Sequence, residues 1–403
     1  MGERVVIIGA GQAGLQIAES LRAEQFAGDI LLIGEEGMAP YQRPPLSKAW
    51  LAGETATDKL TLRGPDVLEA KAIGLRLGAP VARVDLAART LALADGETLD
   101  WTGLAFATGA RARRPNLEGA GLPGVCVLRS LKDAREISAR LAVARRMVVV
   151  GGGFIGLEVA AAARKKGVEV VVLEAQDRLM ARAVTPKISQ IFADLHRARG
   201  VDLHFGAQVA ALEGSDAVRG VALAGGGGFN ADLVVLGVGA SANDALAAAA
   251  GLACDRGILV DSCARTSAPD VVAAGDCTVW TRADGTVCRL ESVQNAVEQG
   301  KAAAAALLGR ERPFTAAPWF WSDQYDVKLQ MAGLGEGSDL QVARVSGDNA
   351  FSLFNYRGEK LVSVESVNRP GEHLLARKLL DAGVSPPPDQ AADPARDLRT
   401  LLR

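Results

Sequence analysis

Two short stretches constrain this chain more than anything else in it: GAGQAGLQ at residues 9–16 and GGGFIGLE at residues 151–158. Each follows a continuous apolar run, Val5 to Ile8 or Met147 to Val150, of the kind that forms a strand buried on both faces. Each leads into helical spacing, through Leu15, Ala18 and Leu21 or through Leu157 and Ala160. The glycines of the turns have separate duties. Gly9 and Gly151 permit the tight turn, Gly11 and Gly153 let backbone approach a pyrophosphate, and Gly14 and Gly156 let the helix pack on the strand. The helix N-terminus then offers free N–H groups and a positive dipole to the phosphates. A second strand closes each unit, ending at Glu35 or at Glu174, where a carboxylate can accept bonds from ribose hydroxyls. Strand, glycines, helix, strand and acid recur in one order, so two bound dinucleotides are expected.

The bulk numbers remove other classes. A net charge of −2 over 403 residues lacks the basic excess of a nucleic-acid binder. No apolar run approaches the roughly 18 residues that span a bilayer. The first strand begins almost at Met1, leaving no room for a targeting peptide, so a cytoplasmic location is expected. Cys126, Cys254, Cys263, Cys277 and Cys288 form no C-x-x-C or C-x4-C pair, and a disulfide framework is not expected. His196, His204 and His373 are too scattered for a metal site and read as ordinary surface or core residues; no metal is expected. The glycine-rich run 224–229 lacks the flanking strand and helix, and reads as a hairpin tip rather than a third phosphate turn.

The stretch TSAPDVVAAGDC, Thr266 to Cys277, ends an apolar strand on Gly275-Asp276 and resembles the second flavin fingerprint of the two-dinucleotide flavoprotein reductases. LAFATGA, with Ala107, Thr108 and Gly109, and LVVLGVGA, with Gly239, resemble the strands at which such chains cross between nucleotide domains. The resemblance implies FAD on the first turn and a nicotinamide nucleotide on the second. Glu174 then favours NADH, because a carboxylate accepts from a 2′-hydroxyl and repels a 2′-phosphate. Arg178 and Arg182 stand nearby as a counter-argument. The expected fold is α/β: two Rossmann-like dinucleotide-binding domains, the second inserted in the first, and a C-terminal α+β domain with an antiparallel sheet. The expected FAD domain is 1–112 with 241–317, the NADH domain 113–240 and the C-terminal domain 318–403. Alternation at Val327-Leu329-Met331, Phe351-Leu353 and Leu361-Val362-Val364 predicts the antiparallel strands.

The exit for electrons is constrained by what YQRPPLSKAWLAG, Tyr41 to Gly53, lacks: it holds no cysteine to serve as a redox pair or a peroxidatic thiol. Together with LRSLKDA, GGGFIGLEVA, RLESVQNAVEQG and PWFWSDQYDVKLQMAGL, it resembles the FAD-dependent ferredoxin reductases of the putidaredoxin reductase type, over about residues 4 to 380. Ala242, Ala110 and Ala112 depart from that pattern in loops. The resemblance implies FAD contacts at Gly9, Gly11, Ala13, Gly14, Glu35, Arg43, Lys48, Val81, Ala107, Thr108, Gly109, Arg129, Gly275, Asp276, Val293 and Trp321. It implies nicotinamide-nucleotide contacts at Gly151, Gly153, Phe154, Ile155, Gly156, Glu174 and Gly239. Lys48 is implied beside the reactive nitrogen of the flavin, paired with Glu158, and these two are the expected catalytic residues. A cation there stabilises the anionic reduced ring, and a buried lysine needs a carboxylate partner. Alternation puts Trp319 and Trp321 on one face, as packing or, for Trp321, as a shield at the flavin edge.

The implied activity is hydride transfer from NADH to FAD, followed by single-electron transfer to a small iron–sulfur ferredoxin that feeds a haem-thiolate monooxygenase or a ring-hydroxylating dioxygenase. Rubredoxin or a small organic radical is the alternative acceptor on this fold. A non-enzymatic role like that of the apoptosis-inducing flavoproteins is the alternative of another class. Acidic ferredoxins dock through positive charge, and Arg289, Lys328 and Arg369 are the candidates.

Overall fold

The structure, a computed structural model, describes residues 2–282 and 285–402. Its contacts divide the chain into two compact units. Unit 1 comprises Met1–Gln42, Thr57–Arg111 and Ala240–Ala316, and unit 2 comprises Arg43–Ala56, Ala112–Gly239 and Ala317–Arg403. The segment Arg43–Ala56, which carries Lys48, thus folds with unit 2 although the chain on both sides of it belongs to unit 1.

Unit 1 is built on a five-stranded parallel sheet in the order Val271–Ala273, Gly103–Phe106, Arg4–Ile8, Asp29–Gly34, Ile73–Leu77. The apolar run Val5 to Ile8 lies at its centre because parallel strands covered on both faces have no polar side to show. The helix Gln12–Ala23 covers one face through Leu15, Ile17, Ala18 and Leu21, and packs with the alanine-rich helix Val293–Leu307. An antiparallel meander, Val81–Asp85, Thr90–Leu93 and Thr98–Asp100, completes the unit beside a small sheet around Thr278–Thr281.

Unit 2 repeats the parallel plan in the order Val201–Phe205, Glu169–Glu174, Arg146–Val150, Leu233–Leu236, Val125–Cys126. The glycine-rich run is the tip of a hairpin between Val218–Leu223 and Gly228–Asn230, with Gly226 and Gly227 at φ 88° and 75°. The C-terminal region forms a five-stranded antiparallel sheet in the order Trp319–Gln324, Val327–Gly333, Lys360–Val367, Ala350–Arg357, Leu340–Gly347. The helix Pro370–Asp381 packs on this sheet around Phe354, Tyr356, Ala376 and Leu379. The α/β class with two Rossmann-like sheets and an antiparallel C-terminal sheet is therefore present as expected. Among the described residues no helix is long and apolar enough to cross a membrane.

Within unit 2 the helix Pro186–Ala198 meets the strand Trp319–Gln324 through His196, which is fully buried and bonded to Gln324 at 2.8 Å. Burial pushes the His196 imidazole down to about 4 from an ordinary 6.5. Because the folded value lies below the unfolded one, the unfolded chain takes up the proton first as pH falls. Stability from this site is intact above the unfolded value and is lost as pH falls from 6.5 toward 4. The full loss is about 3 kcal/mol. The urea midpoint of the native protein should therefore drop between pH 7 and pH 5, and should drop less in His196→Gln.

Candidate functional site

The first glycine turn is fixed by close approach. Gly9 has φ 119°, and a Cβ there would meet the Ala107 carbonyl oxygen at 2.1 Å. A Cβ on Gly14 would meet the Gly9 carbonyl oxygen at 1.9 Å, so the helix sits directly on the turn. Gly11 is different: a Cβ there would meet nothing within 4 Å, and the helix after it starts without a side-chain cap. The first N–H groups of that helix are left for an anion in an open cradle. These residues fit the pyrophosphate of FAD. Glu35 is exposed at the end of its strand.

Another FAD candidate of unit 1, Gly275, sits against this turn. Gly275 has φ 87°, and a Cβ there would meet the Ala13 methyl at 3.0 Å, which leaves glycine as the residue that fits. Asp276 comes next, half-buried. The Gly275 N–H donates to Gln299 Oε1 at 2.8 Å, and Val293 is the first residue of the helix that carries Gln299, capped by Ser292. Thr108 Oγ1 donates to the Asn243 carbonyl at 2.6 Å, and Asn243 Nδ2 returns a bond to the Thr108 carbonyl at 3.0 Å. Sequence reasoning missed both Asn243 and Gln299: the first carries no motif, and the second lies in the stretch RLESVQNAVEQG without any signal that sets it apart from its neighbours. Val81 opens the meander, half-buried.

The second turn has the same logic. Gly151 has φ 107° with the Gly237 carbonyl 2.5 Å from a Cβ position, and a Cβ on Gly156 would meet the Gly151 carbonyl at 2.4 Å. A Cβ on Gly153 would find no atom nearer than 4.0 Å, and the helix Phe154–Lys165 starts without a side-chain cap, which fits a second pyrophosphate. Glu174 is bound to this turn rather than loose beside it. Its Oε2 accepts from the Gly152 N–H at 2.6 Å and its Oε1 from the Gln176 N–H at 2.8 Å. Arg178 is spent on the carbonyls of Val184 and Ala181 and on Ser189 Oγ, at 2.6 to 2.8 Å, while Arg182 is exposed. Phe154 packs against Phe320 at 4.8 Å, and Ile155 is exposed. A Cβ on Gly239 would have Arg113 Cδ as its neighbour at 3.8 Å.

Unit 2 also brings the candidate pair together. Pro44 and Pro45 start a single 3₁₀ turn, Pro44–Ser47, and Lys48 joins it to the short helix Ala49–Ala52. Lys48 Nζ lies 2.9 Å from Glu158 Oε1, with the lysine side chain 13% and the glutamate 2% exposed. Ser322 Oγ donates to the same oxygen at 2.6 Å, and Ser47 Oγ donates to Oε2. An ion pair so far from water survives only with further hydrogen bonds, and here two serines supply them to the carboxylate, one on each oxygen. Ser47 and Ser322 were not singled out in the sequence, because a serine's role depends on what it faces. Arg43 Nη1 donates to the Arg129 carbonyl at 2.9 Å, joining two further candidates. Trp321 is half-buried, its ring 5.6 Å from that of Trp319 as alternation requires, and Arg377 lies over Trp319 at 4.4 Å.

The expected docking cations are each beside an acid. Arg289 Nη2 is 2.5 Å from Glu291 and 3.1 Å from the Ala240 carbonyl; Lys328 is 3.9 Å from Asp323; Arg369 is 2.7 Å from Glu372. Among the described residues no disulfide forms, and Cys126, Cys263, Cys277 and Cys288 are buried. Burial pushes the Cys126 thiol up to about 12 and raises Cys277 as well. Such thiols are protonated and poor nucleophiles. Among the described residues no group of three or more metal-ligating side chains occurs.

Residues 3–300 match the pyridine nucleotide-disulphide oxidoreductase family, and residues 319–402 match the reductase C-terminal family. The chain is similar to rhodocoxin reductase of Rhodococcus erythropolis, 44% identical over 99% of this chain and 94% of that one. It is similar in structure to the ferredoxin reductase for the CYP199A2 system from Rhodopseudomonas palustris, with TM-score 0.96, 43% identity and 100% of both chains covered. A covalent putidaredoxin reductase–putidaredoxin complex gives TM-score 0.95 at 38% identity, covering 99% of this chain and 98% of that one.

The contrast between Gly9 and Gly11 is testable. Gly9→Ala should destabilise the protein by at least about 2 kcal/mol, through clash and backbone strain. Gly11→Ala should leave the apoprotein within about 1 kcal/mol of native stability yet weaken FAD binding by about tenfold or more, because its methyl fills only the cradle. Denaturation of the apoproteins and FAD titration by fluorescence quenching measure both.

Proposed function

The chain belongs to the pyridine nucleotide-disulphide oxidoreductase family and ends in a reductase C-terminal domain, and we propose that it carries electrons from NADH to a small iron–sulfur ferredoxin. The observation that carries this reading is the Lys48–Glu158 pair: the segment Arg43–Ala56 sets a lysine against Glu158 and contains no cysteine, so no thiol is offered as an electron exit. FAD, when bound, supplies the conversion of a two-electron hydride into single electrons.

The protein's own residues bind, orient and neutralise. We assign FAD to the first turn, with Gly9, Gly11, Ala13, Gly14, Glu35, Val81, Ala107, Thr108, Gly109, Gly275, Asp276 and Val293, and the resemblance adds Arg43, Lys48, Arg129 and Trp321. NADH is assigned to the second turn, with Gly151, Gly153, Phe154, Ile155, Gly156, Glu174 and Gly239. The Glu174 carboxylate repels a 2′-phosphate, and three of the five Arg178 donors are taken by Val184, Ala181 and Ser189, which weakens the counter-argument from that cation. Lys48 stabilises negative charge that develops when reducing equivalents arrive, and Glu158 keeps that lysine in place. The domain reading is an FAD domain of 1–112 with 241–317, an NADH domain of 113–240 and a C-terminal domain of 318–403. NADH as donor suits a cytoplasmic location.

The acceptor reading leans on the named partners of the relatives: rhodocoxin reductase by its name, and the putidaredoxin complex by its content. Arg289, Lys328 and Arg369 are retained as docking candidates. Each must be shared between its own acid and the partner, so the attraction they offer is smaller than three free cations would give.

Two measurements test the proposal. With ferricyanide as acceptor, kcat/KM for NADH should exceed that for NADPH by about tenfold or more, and Glu174→Ala should narrow the gap. Equal use of both nucleotides by the native protein would overturn the nucleotide assignment. With NADH as donor, a purified ferredoxin of the two-iron class should be reduced catalytically, faster at low than at high ionic strength. Arg289→Glu should raise KM for that ferredoxin by about threefold or more. If ferredoxin is not reduced while ferricyanide is, the acceptor is of another class.

A further inference from the structure

A line of buried polar groups runs away from Glu158 through unit 2, and the nucleotide turns make no use of it. Ser322 Oγ, which donates to Glu158 Oε1 at 2.6 Å, accepts from Gln324 Nε2 at 3.1 Å. Gln324 Oε1 accepts from His196 Nε2 at 2.8 Å, and His196 Nδ1 faces the Tyr325 hydroxyl at 3.4 Å. Ser322, Gln324 and His196 are all fully buried. An amide oxygen only accepts, so His196 carries its proton on Nε2, and Nδ1 is left to accept from Tyr325. Every donor in the line therefore points toward Glu158: Tyr325 to His196, His196 to Gln324, Gln324 to Ser322, Ser322 to the carboxylate. Lys48 and Ser47 donate to the same carboxylate from the segment Arg43–Ala56, so its orientation is set by groups from both sides.

The far end of the line is anchored at some cost in backbone energy. Tyr325 is the first residue of the two-residue turn between Trp319–Gln324 and Val327–Gly333 and has φ 57°, a region that glycine or asparagine occupies more readily. Two contacts hold it there, the edge-on ring of His196 at 5.1 Å and the Arg199 guanidinium over its face at 5.2 Å, and Arg199 is itself tied to Asp326 at 2.6 Å. A tyrosine at positive φ held between His196 and Arg199 is a stop against which the rest of the line is registered. The line orients rather than conducts, because a carboxamide in the middle does not pass a proton on as a hydroxyl or imidazole does.

We propose that Ser322, Gln324 and His196 are positioning residues for the reductase reaction, fixing the Glu158 carboxylate against the Lys48 ammonium from the side of the C-terminal sheet. The proposal rests on the reading that Lys48 and Glu158 serve flavin reduction. A strand of the C-terminal domain, the domain that also carries the docking candidates Lys328 and Arg369, thereby sets the geometry of the step that consumes NADH.

The test uses the FAD-loaded protein. Rapid-mixing reduction by NADH, the flavin midpoint potential, and the hydrogen-bonded Lys48 ammonium resonance in ¹⁵N-lysine NMR are measured for Ser322→Ala, Ser322→Thr, Gln324→Met and Glu158→Gln. Ser322→Ala and Gln324→Met should slow reduction by about threefold to tenfold and broaden the Lys48 resonance, with NAD⁺ affinity within about twofold of native. Ser322→Thr keeps the hydroxyl and should restore both readouts. Ser322→Ala placed on Glu158→Gln should add little, because the group it positions is already gone. If Glu158→Gln slows reduction while Ser322→Ala and Gln324→Met leave rate, potential and resonance native, the positioning proposal is overturned. If Glu158→Gln leaves reduction native, the reading of the pair itself fails, and the Lys48 resonance alone decides whether Ser322 positions it. Gln324→Met keeps the test open should Ser322→Ala fail to fold.

Discussion

A single buried carboxylate organises unit 2. Glu158 accepts bonds from Lys48, Ser47 and Ser322, groups that come from two stretches of chain remote from it in sequence. A charge so deeply withdrawn from water is tolerable only when its partners arrive together, and removing any one of them leaves the others with an unmet desolvation cost. Satisfying Glu158 therefore requires that the segment Arg43–Ala56, the second nucleotide helix and the strand Trp319–Gln324 fold as one body. Other contacts in the unit point the same way. Glu365 of the C-terminal sheet accepts from the N–H and hydroxyl of Thr185, at 2.8 and 2.6 Å, just ahead of the helix Pro186–Ala198. Burial raises the Glu365 carboxyl, and the two Thr185 bonds work against that rise.

The parts legible in the sequence are those where backbone geometry dictates residue type. Gly9, Gly14, Gly151 and Gly156 sit where any Cβ would strike a carbonyl oxygen within 2.5 Å, so the spacing of glycines is itself a readout of the turn. The apolar strands between them are similarly forced, since a central parallel strand has no wet face. The antiparallel C-terminal sheet announced itself through alternation at Val327-Leu329-Met331 and Phe351-Leu353. Lys48 and Glu158 were reachable only through family resemblance, because nothing in either residue's local sequence distinguishes a buried ion from a solvated one.

What remained hidden was side-chain partnership across long sequence separations. His196 read as an ordinary residue, yet its two ring nitrogens face Gln324 and Tyr325, 128 and 129 positions away. Ser322 sits beside a tryptophan-rich stretch that draws the eye, and its importance comes from 164 residues upstream. The cations Arg289, Lys328 and Arg369 looked available for a partner; their acids, Glu291, Asp323 and Glu372, are close in sequence, but only the folded geometry sets each beside its cation. Ion pairing is a three-dimensional fact, and a count of charges along the chain carries almost none of it.

Glu174, the residue assigned to nucleotide selectivity, is also a structural tie. Its carboxylate is held by the N–H groups of Gly152 and Gln176, and a Cβ on Gly152 would lie 3.1 Å from its Oε2 and 2.7 Å from Leu179. The group that would discriminate between nucleotides is thus also the mortar of the turn assigned to their phosphates. Swapping it for a smaller or basic residue would strip the Gly152 N–H of its acceptor at the same stroke as it changed the charge. Retuning such a protein toward a phosphorylated nucleotide is a redesign of the loop, in which a new acceptor for Gly152 has to come first and new cations second. Drift in coenzyme use is correspondingly difficult here, because the intermediate sequences would lose binding of one nucleotide before gaining the other.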